Sequence, residues 1–95
     1  MQTTYEKEIK SVIAKYLPLA KYQTLIFGSR AKGNARKWSD FDIGIIGETH
    51  VPLRTLGLIN EALENSNIPF KVDVVDFSRV PEKFKKIALK HRKTL

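Results

Sequence analysis

Apolar and polar positions along this 95-residue chain follow two periods in turn, one typical of helices and one typical of strands. Apolar residues at helical spacing predict helices over 3–17, 52–66 and 81–91, with a short helix over 29–34. Runs rich in β-branched and aromatic residues predict strands over 22–27, 41–46 and 69–77.

The first predicted strand carries apolar side chains on both faces, which indicates a central strand covered by helices. The segment that joins it to the second strand is short, whereas a parallel crossover generally needs a dozen or more residues. We therefore predict an α/β (α+β) fold, in which a small mixed β-sheet of about three strands is covered by helices. Residues 1–95 are expected to form a single domain.

The same pattern predicts which helical side chains face the core. Thr3 and Glu6 fit a capping box at the start of the first helix, and Tyr5 and Tyr16 are expected to be core or half-buried residues. The inward stripes of the two later long helices are expected to comprise Leu53, Leu56, Ile59, Ala62 and Leu63, and then Phe84, Ile87, Ala88 and His91.

The composition is that of an ordinary globular protein, with 42% hydrophobic and 28% charged residues. No apolar run is long enough to cross a membrane, and the N-terminal residues lack the apolar segment of a signal peptide. Cysteine is absent, which excludes disulfides and a thiolate zinc site. We therefore expect a cytoplasmic protein.

The net charge of +7, from 17 Lys and Arg against 10 Asp and Glu, suits a polyanionic ligand such as a nucleotide or RNA. Many small basic proteins bind no nucleic acid, so the charge alone does not decide. The lysine-rich last helix is either a solvated basic face or a surface for a partner or nucleic acid.

Candidate chemistry is concentrated between Phe27 and Asp42. Gly28 lets the backbone approach a ligand closely, and the Ser29 hydroxyl can cap the following turn or donate to a phosphate oxygen. Arg30 and Lys32 add positive charge in the same turn. This end of the unit is expected to hold phosphate.

Three carboxylates form the other half of the candidate site. On a strand Asp40 and Asp42 would point the same way and repel each other, unless a cation such as Mg²⁺ lies between them. Asp73 is a carboxylate among valines, which is costly unless it is paired or metal-bound. Asp76 is interpreted as a turn or cap acid, and alternatively as the third carboxylate in place of Asp73.

Two other side chains have less certain roles. Trp38 is either a hydrophobic plug beneath its loop or a residue that stacks on a base or contacts a partner. His50 has no His or Cys partner nearby in sequence and is expected to be a surface residue.

The pattern Gly28-Ser29, ten residues, Asp40-x-Asp42 resembles the signature of the DNA polymerase β-type nucleotidyltransferase superfamily, and the run from Gly28 to Gly33 is most similar to its minimal nucleotidyltransferase branch. The resemblance implies a nucleotidyltransferase fold with a third acidic residue on a later strand, which Asp73 provides. It implies catalytic and metal-binding roles for Asp40, Asp42 and Asp73, with two Mg²⁺ ions during catalysis. The implied nucleotide-binding residues are Gly28, Ser29, Arg30, Lys32 and Ser39.

The resemblance also implies a reaction, the transfer of AMP from ATP or another NTP to an acceptor. In the minimal family the usual partner is a helical HEPN-domain protein, and the pair can act as toxin and antitoxin, with AMP passed to a tyrosine of the toxin. The short chain leaves nothing for an acceptor-binding domain, so another chain is expected to present the acceptor, in a homo- or hetero-oligomer.

Three other functions stay open at this point. A catalytically weak nucleotide-binding subunit could neutralise or scaffold its partner by contact, although all three acidic positions are present. Transfer to a small molecule is disfavoured by the lack of a second domain. A polymerase or RNA-tailing role would need more nucleic-acid surface than one basic helix supplies.

Overall fold

The computed structural model describes residues 4–33 and 39–95, in which helices and strands alternate along the chain. Its elements are α1 (Thr4–Tyr16), β1 (Tyr22–Phe27), α2 (Ser29–Lys32), β2 (Phe41–Gly47), α3 (Leu53–Glu64), β3 (Val72–Asp76), α4 (Glu82–Ala88) and β4 (Lys93–Thr94).

The strands form one sheet in the order β3-β2-β1-β4. The central strands β1 and β2 are antiparallel, and β2 and β3 are parallel. The connection through α2 is short and returns the chain antiparallel, whereas α3 provides the longer crossover that a parallel pair requires. The predicted mixed sheet is therefore confirmed.

The sheet has four strands where about three were predicted. Lys93 and Thr94 pair antiparallel with Ile26 and Leu25 of β1. A two-residue polar strand carries no alternation that a sequence pattern could reveal. The next residue, Leu95, is buried in the main core, and its N–H donates to the Thr24 carbonyl at 3.2 Å.

The two faces of the sheet bury separate hydrophobic clusters. The larger cluster packs α1 and α3 against one face and includes Ile9, Ile26, Ile43 and Ile59. The smaller cluster comprises Leu25, Phe27 and Phe77, with Ala88 and Leu89 packed against it. This arrangement confirms that β1 is a central strand with apolar contacts on both faces.

Several helical predictions were wrong in detail. The helix α4 ends at Ala88 rather than His91, and its Phe84 and Ile87 are 43% and 54% exposed. Tyr5, Tyr16 and Leu53 are also exposed, whereas Glu6 is buried. Helical spacing places such residues on one stripe but does not say how far the sheet beneath the stripe extends. Thr3, the predicted cap, lies outside the described residues.

None of the helices in residues 4–33 and 39–95 combines the length and the apolar character needed to span a bilayer.

Candidate active site

Asp42 and Asp73 lie opposite each other on the parallel strands β2 and β3. Register partners project from the same face of a sheet, so both carboxylates lie on one side. It is the side of the smaller cluster, because a Cβ on Gly44, two residues from Asp42, would lie 2.6 Å from Phe77 Cζ. The structure therefore brings together two of the three carboxylates that the sequence singled out.

The electrostatics of Asp42 are unfavourable for a carboxylate. Its partial burial raises its pKa above the ordinary value of 3.8, and the negative charges of Asp73 and Asp40 raise it further, while Lys71 acts in the opposite direction. Lys71 Nζ lies 3.6 Å from Asp73 Oδ1, and both side chains are well exposed. A cation beside Asp42 would relieve this repulsion.

The positions of Asp40 and Asp73 differ from the sequence-based prediction. Asp40 is exposed and precedes β2, so strand alternation does not orient it. Its charge still contributes to the raised pKa of Asp42. Asp73 is not enclosed among valines, since its side chain is 44% exposed at the edge of the sheet.

Gly28 places its backbone directly against the Asp42 carboxylate. Its φ of +75° lies in the region that favours glycine, and a Cβ at this position would overlap Asp42 Oδ2. Gly28 also occupies the cap position of α2 without a side-chain hydrogen bond, so the interpretation of Ser29 as the cap was wrong. Ser29 is instead the first residue of α2, and it is half-buried.

The basic residues of α2 point to different environments. The Arg30 guanidinium lies 3.9 Å from the centre of the Phe41 ring and 4.6 Å from that of Phe70. Arg30 also donates to the Ser39 carbonyl from Nε at 3.0 Å and Nη2 at 2.7 Å. These contacts give Arg30 a structural role on the Phe41 side of the sheet, while Lys32 is exposed.

Asp76 occupies the other end of β3 and is 3% exposed. Its carboxylate accepts hydrogen bonds from the Val51 N–H at 2.7 Å and from the Ser78 N–H at 2.9 Å, and Arg79 Nε lies 3.4 Å away. Burial acts to raise its pKa, but the bonds from Ser78 and Val51 and the charge of Arg79 outweigh it and hold the pKa below 3.8. Asp76 therefore organises a turn, as its first interpretation proposed.

Carboxylate oxygens suit a hard cation such as Mg²⁺, which keeps several waters and binds through one or two carboxylates together with substrate phosphates. The raised pKa of Asp42 and its like-charged neighbours fit such an ion. Within the described part of the chain, no three His, Cys, Asp or Glu side chains are grouped as ligands of one ion. The fit thus rests on the donor chemistry of a carboxylate pair.

A groove of about 440 Å³ lies beside β3 and reaches Asp73. We call it the β3 groove; it is lined by Asn60, Leu63, Glu64, Ile68, Phe70, Lys71, Val72 and Asp73. No pattern in the sequence indicates this groove, because its walls come from α3 and from the segment before β3, and only the tertiary packing joins them.

Trp38 and His50 are the other two side chains for which the sequence suggested a role. Trp38 lies outside the described residues. His50 is exposed, as predicted, and its Nδ1 is hydrogen-bonded to Ser78 Oγ.

A mixed sheet in which a glycine turn and two carboxylates meet at one end is the arrangement of a nucleotidyltransferase domain. The family model "Polymerase beta, Nucleotidyltransferase" matches residues 7–95. The "Probable protein adenylyltransferase MntA" of Haemophilus influenzae is 34% identical over 82 residues, which are 86% of this chain and 70% of the relative.

Solved structures have the same fold. A toxin–antitoxin complex with AMP-PNP superposes with a TM-score of 0.75 at 21% identity and covers 93% of this chain and 69% of that one. A structure assigned as a minimal nucleotidyltransferase superposes with a TM-score of 0.67 at 25% identity, over 94% and 87% of the two chains. The chain belongs to the polymerase beta nucleotidyltransferase family, in its minimal, MntA-like branch. The resemblance stated from the sequence is thereby confirmed.

Proposed function

We propose that this chain is a Mg²⁺-dependent adenylyltransferase that transfers AMP from ATP to a tyrosine of a HEPN-type partner toxin and so acts as the antitoxin. One observation carries the proposal: Asp42 and Asp73 are register partners, and the Gly28 backbone lies against the Asp42 carboxylate. The Gly28 turn, which we expect to approach phosphate, therefore lies next to the pair of carboxylates. The similarity to an adenylyltransferase and to a toxin–antitoxin complex supports the choice of reaction and partner.

Two Mg²⁺ ions would each be held by a pair of carboxylates, one ion by Asp40 and Asp42 and the other by Asp42 and Asp73. When bound, Mg²⁺ ions would neutralise triphosphate charge and stabilise the entering and leaving oxygens of an in-line displacement. The raised pKa of Asp42 is consistent with this role, because burial, Asp73 and Asp40 disfavour the ionised carboxylate more than Lys71 favours it.

The residues of the chain position the reactants. Gly28 and Ser29 would hold the β- and γ-phosphates, with Lys32 as an exposed cation nearby. The acceptor oxygen bonds to the α-phosphorus, the bond between the α-phosphorus and the bridging oxygen breaks, and pyrophosphate leaves. Asp73, on the open side of the pair, accepts the proton of the acceptor hydroxyl. Because Arg30 is held by Phe41 and the Ser39 carbonyl, we assign Arg30 and Ser39 to supporting this turn.

The decisive experiment is a transfer assay with α-labelled ATP, Mg²⁺ and the partner protein, beside a double variant with Asp40→Asn and Asp42→Asn. We expect label on the partner with the unchanged chain and none with the double variant. Asp76→Asn is the matched control, since it alters a carboxylate on the same sheet that does not face the phosphates.

A different outcome would identify the other candidate function. If the complex with the partner forms equally tightly with the double variant and no label is transferred by the unchanged chain, the protein acts by contact, and the adenylyltransferase proposal is wrong.

A further inference from the structure

We infer that the exposed ring of Phe84 is the surface on which the base of the bound nucleotide stacks. The inference rests on the proposed function and adds to it the residue that holds the base. Its starting point is the face of the sheet from which Asp42 and Asp73 project, because α4 packs against that same face through Phe84 and Ala88.

Phe27 connects the carboxylates to this helix. Phe27 and Asp42 are register partners on the antiparallel strands β1 and β2, so their side chains are neighbours on one face. The centres of the Phe27 and Phe84 rings lie 6.0 Å apart. Phe84 is therefore separated from Asp42 by a single intervening side chain.

The Phe84 ring is fixed in orientation and is still accessible. It meets the Phe27 ring at 86° and the Phe77 ring, 6.3 Å away, at 82°, which is the edge-to-face arrangement that aromatic pairs favour. Phe27 and Phe77 are buried, whereas Phe84 is 43% exposed. Two buried rings thus orient a third ring that a ligand can reach.

A nucleotide bound at the carboxylates would extend to this ring. With the β- and γ-phosphates over Gly28 and the α-phosphate beside Asp42, only the ribose separates the α-phosphate from the base. The ribose would then lie over Phe27 and the base beside Phe84, which is their order along the surface from Asp42 to α4. Aromatic side chains stack on every base, and a purine offers the larger ring surface.

The charges of α4 favour a nucleotide as the occupant. Lys83 and Lys86 are exposed on the helix that carries Phe84, Lys85 is half-buried, and Glu82 is the only acidic residue of that helix. A surface of this sign attracts a polyanion. A ligand that combines negative charge with a flat apolar group matches both properties of the helix, and a purine nucleotide is such a ligand.

The test compares a nucleotide with its bare phosphate chain, each bound with Mg²⁺ to the complete protein. Calorimetric titration measures the affinities for α,β-methylene-ATP and for inorganic tripolyphosphate. Phe84→Ala is expected to weaken binding of the ATP analogue about tenfold or more and to leave the affinity for tripolyphosphate within about twofold. Phe84→Tyr keeps the ring and should retain the analogue, whereas Phe84→Leu keeps an apolar side chain without a ring and should behave like Phe84→Ala.

Tyr5→Ala is the matched control. Tyr5 is 40% exposed on a helix, and its ring meets that of Phe70 edge-on at 4.9 Å, so it resembles Phe84 in exposure and in contact. It belongs to α1, which packs on the opposite face of the sheet, so both affinities should stay unchanged. In the unchanged chain, nuclear Overhauser contacts are expected between the Phe84 ring protons and the purine protons of the analogue. They give a readout that does not depend on the folding of a variant.

The results separate this inference from the function on which it rests. A selective loss of analogue binding in Phe84→Ala and Phe84→Leu supports the inference even if the unchanged chain transfers no AMP, in which case the proposed function alone fails. Unchanged analogue binding in Phe84→Ala, or absence of contacts between the Phe84 ring and the purine, overturns the inference. An equal loss of tripolyphosphate binding would show that the ring only shapes the phosphate site. A loss of partner binding at unchanged nucleotide affinity would assign the ring to the partner, and either result also overturns the inference.

Discussion

Two carboxylates of the same sheet, Asp42 and Asp76, have opposite environments. Asp76 is buried, accepts hydrogen bonds from Val51 and Ser78, and has Arg79 beside it, so its pKa is held below 3.8. Asp42 is less buried but faces Asp73 and Asp40, so its pKa is raised. The difference shows that burial alone does not decide the charge state of a carboxylate, because the donors and charges around it decide whether the ionised form is stabilised.

The arginines at the two ends of the sheet explain part of this difference. Arg79 contacts Asp76 and donates to the Val51 carbonyl at 3.0 Å. Arg30 lies near the other end, but Phe41 and the Ser39 carbonyl hold its guanidinium. Asp76 is thus neutralised within the fold, whereas Asp42 keeps two like-charged neighbours.

The largest effect on stability is expected from Asp76→Ala. The substitution leaves the buried Val51 N–H and the Ser78 groups without their acceptor and removes the neighbour of Arg79, so the free energy of unfolding should fall by about 3 kcal/mol or more. Urea unfolding measures it, with Asp73→Ala as the control on the same strand. A loss below about 1 kcal/mol would contradict the structural role of Asp76.

The two glycines with positive φ separate strain from contact. Gly28→Ala should cost about 2 kcal/mol, since it combines a left-handed backbone with an overlap of its Cβ and the Asp42 carboxylate, and AMP transfer should be lost. Gly33 also has a positive φ, +80°, but a Cβ added there would have no atom within 4 Å. Gly33→Ala should therefore lower the free energy of unfolding by about 1 kcal/mol and leave AMP transfer intact. Equal losses of activity in both variants would show that the contact with Asp42 is unimportant. Thermal unfolding and the transfer assay give the two readouts.

Arg30→Lys tests whether this arginine belongs to the turn or to the nucleotide. Lysine keeps the positive charge but loses the two N–H donors to the Ser39 carbonyl and the planar contact with Phe41. The free energy of unfolding should therefore fall by about 1 kcal/mol. The affinity for a Mg²⁺–ATP analogue should change less than about threefold. A drop in affinity of about tenfold or more at unchanged stability would instead place Arg30 on the phosphates. Calorimetric titration beside thermal unfolding measures both quantities.

The smallest expected effect is a gain in stability, from Asp42→Asn. A raised folded-state pKa means that ionised Asp42 destabilises the fold, so stability falls as the pH rises from 3.8 through the folded-state pKa. Without metal, Asp42→Asn should therefore be more stable than the unchanged chain at neutral pH, by less than about 1 kcal/mol, and the difference should vanish below pH 3.8.

The matched variant Asp76→Asn should behave in the reverse way. The lowered pKa of Asp76 contributes stability above pH 3.8 that is lost as the pH falls through the folded-state pKa. Mg²⁺ should raise the unfolding temperature of the unchanged chain and of Asp76→Asn, but not that of Asp42→Asn. The same pH profile for both variants would remove the contrast between the two carboxylates.

The local features of this protein could be predicted from its amino-acid sequence. Periodicity predicted α1 and the central strands, and the short connection between those strands predicted the mixed sheet, because each depends on residues close together in the chain. The spacing from Gly28 to Asp42 indicated the nucleotidyltransferase family on similar grounds.

Contacts between residues that are distant in sequence required the folded structure. The parallel register of β2 and β3 places Asp73 opposite Asp42, and a slip of one residue would have sent it to the other face. Packing likewise decided that Arg30 stacks on Phe41, that Asp76 receives the Val51 N–H and that α3 and β3 enclose a groove. These outcomes depend on which surfaces meet and how deeply each is buried, and a linear pattern specifies the face of a side chain but not its neighbour.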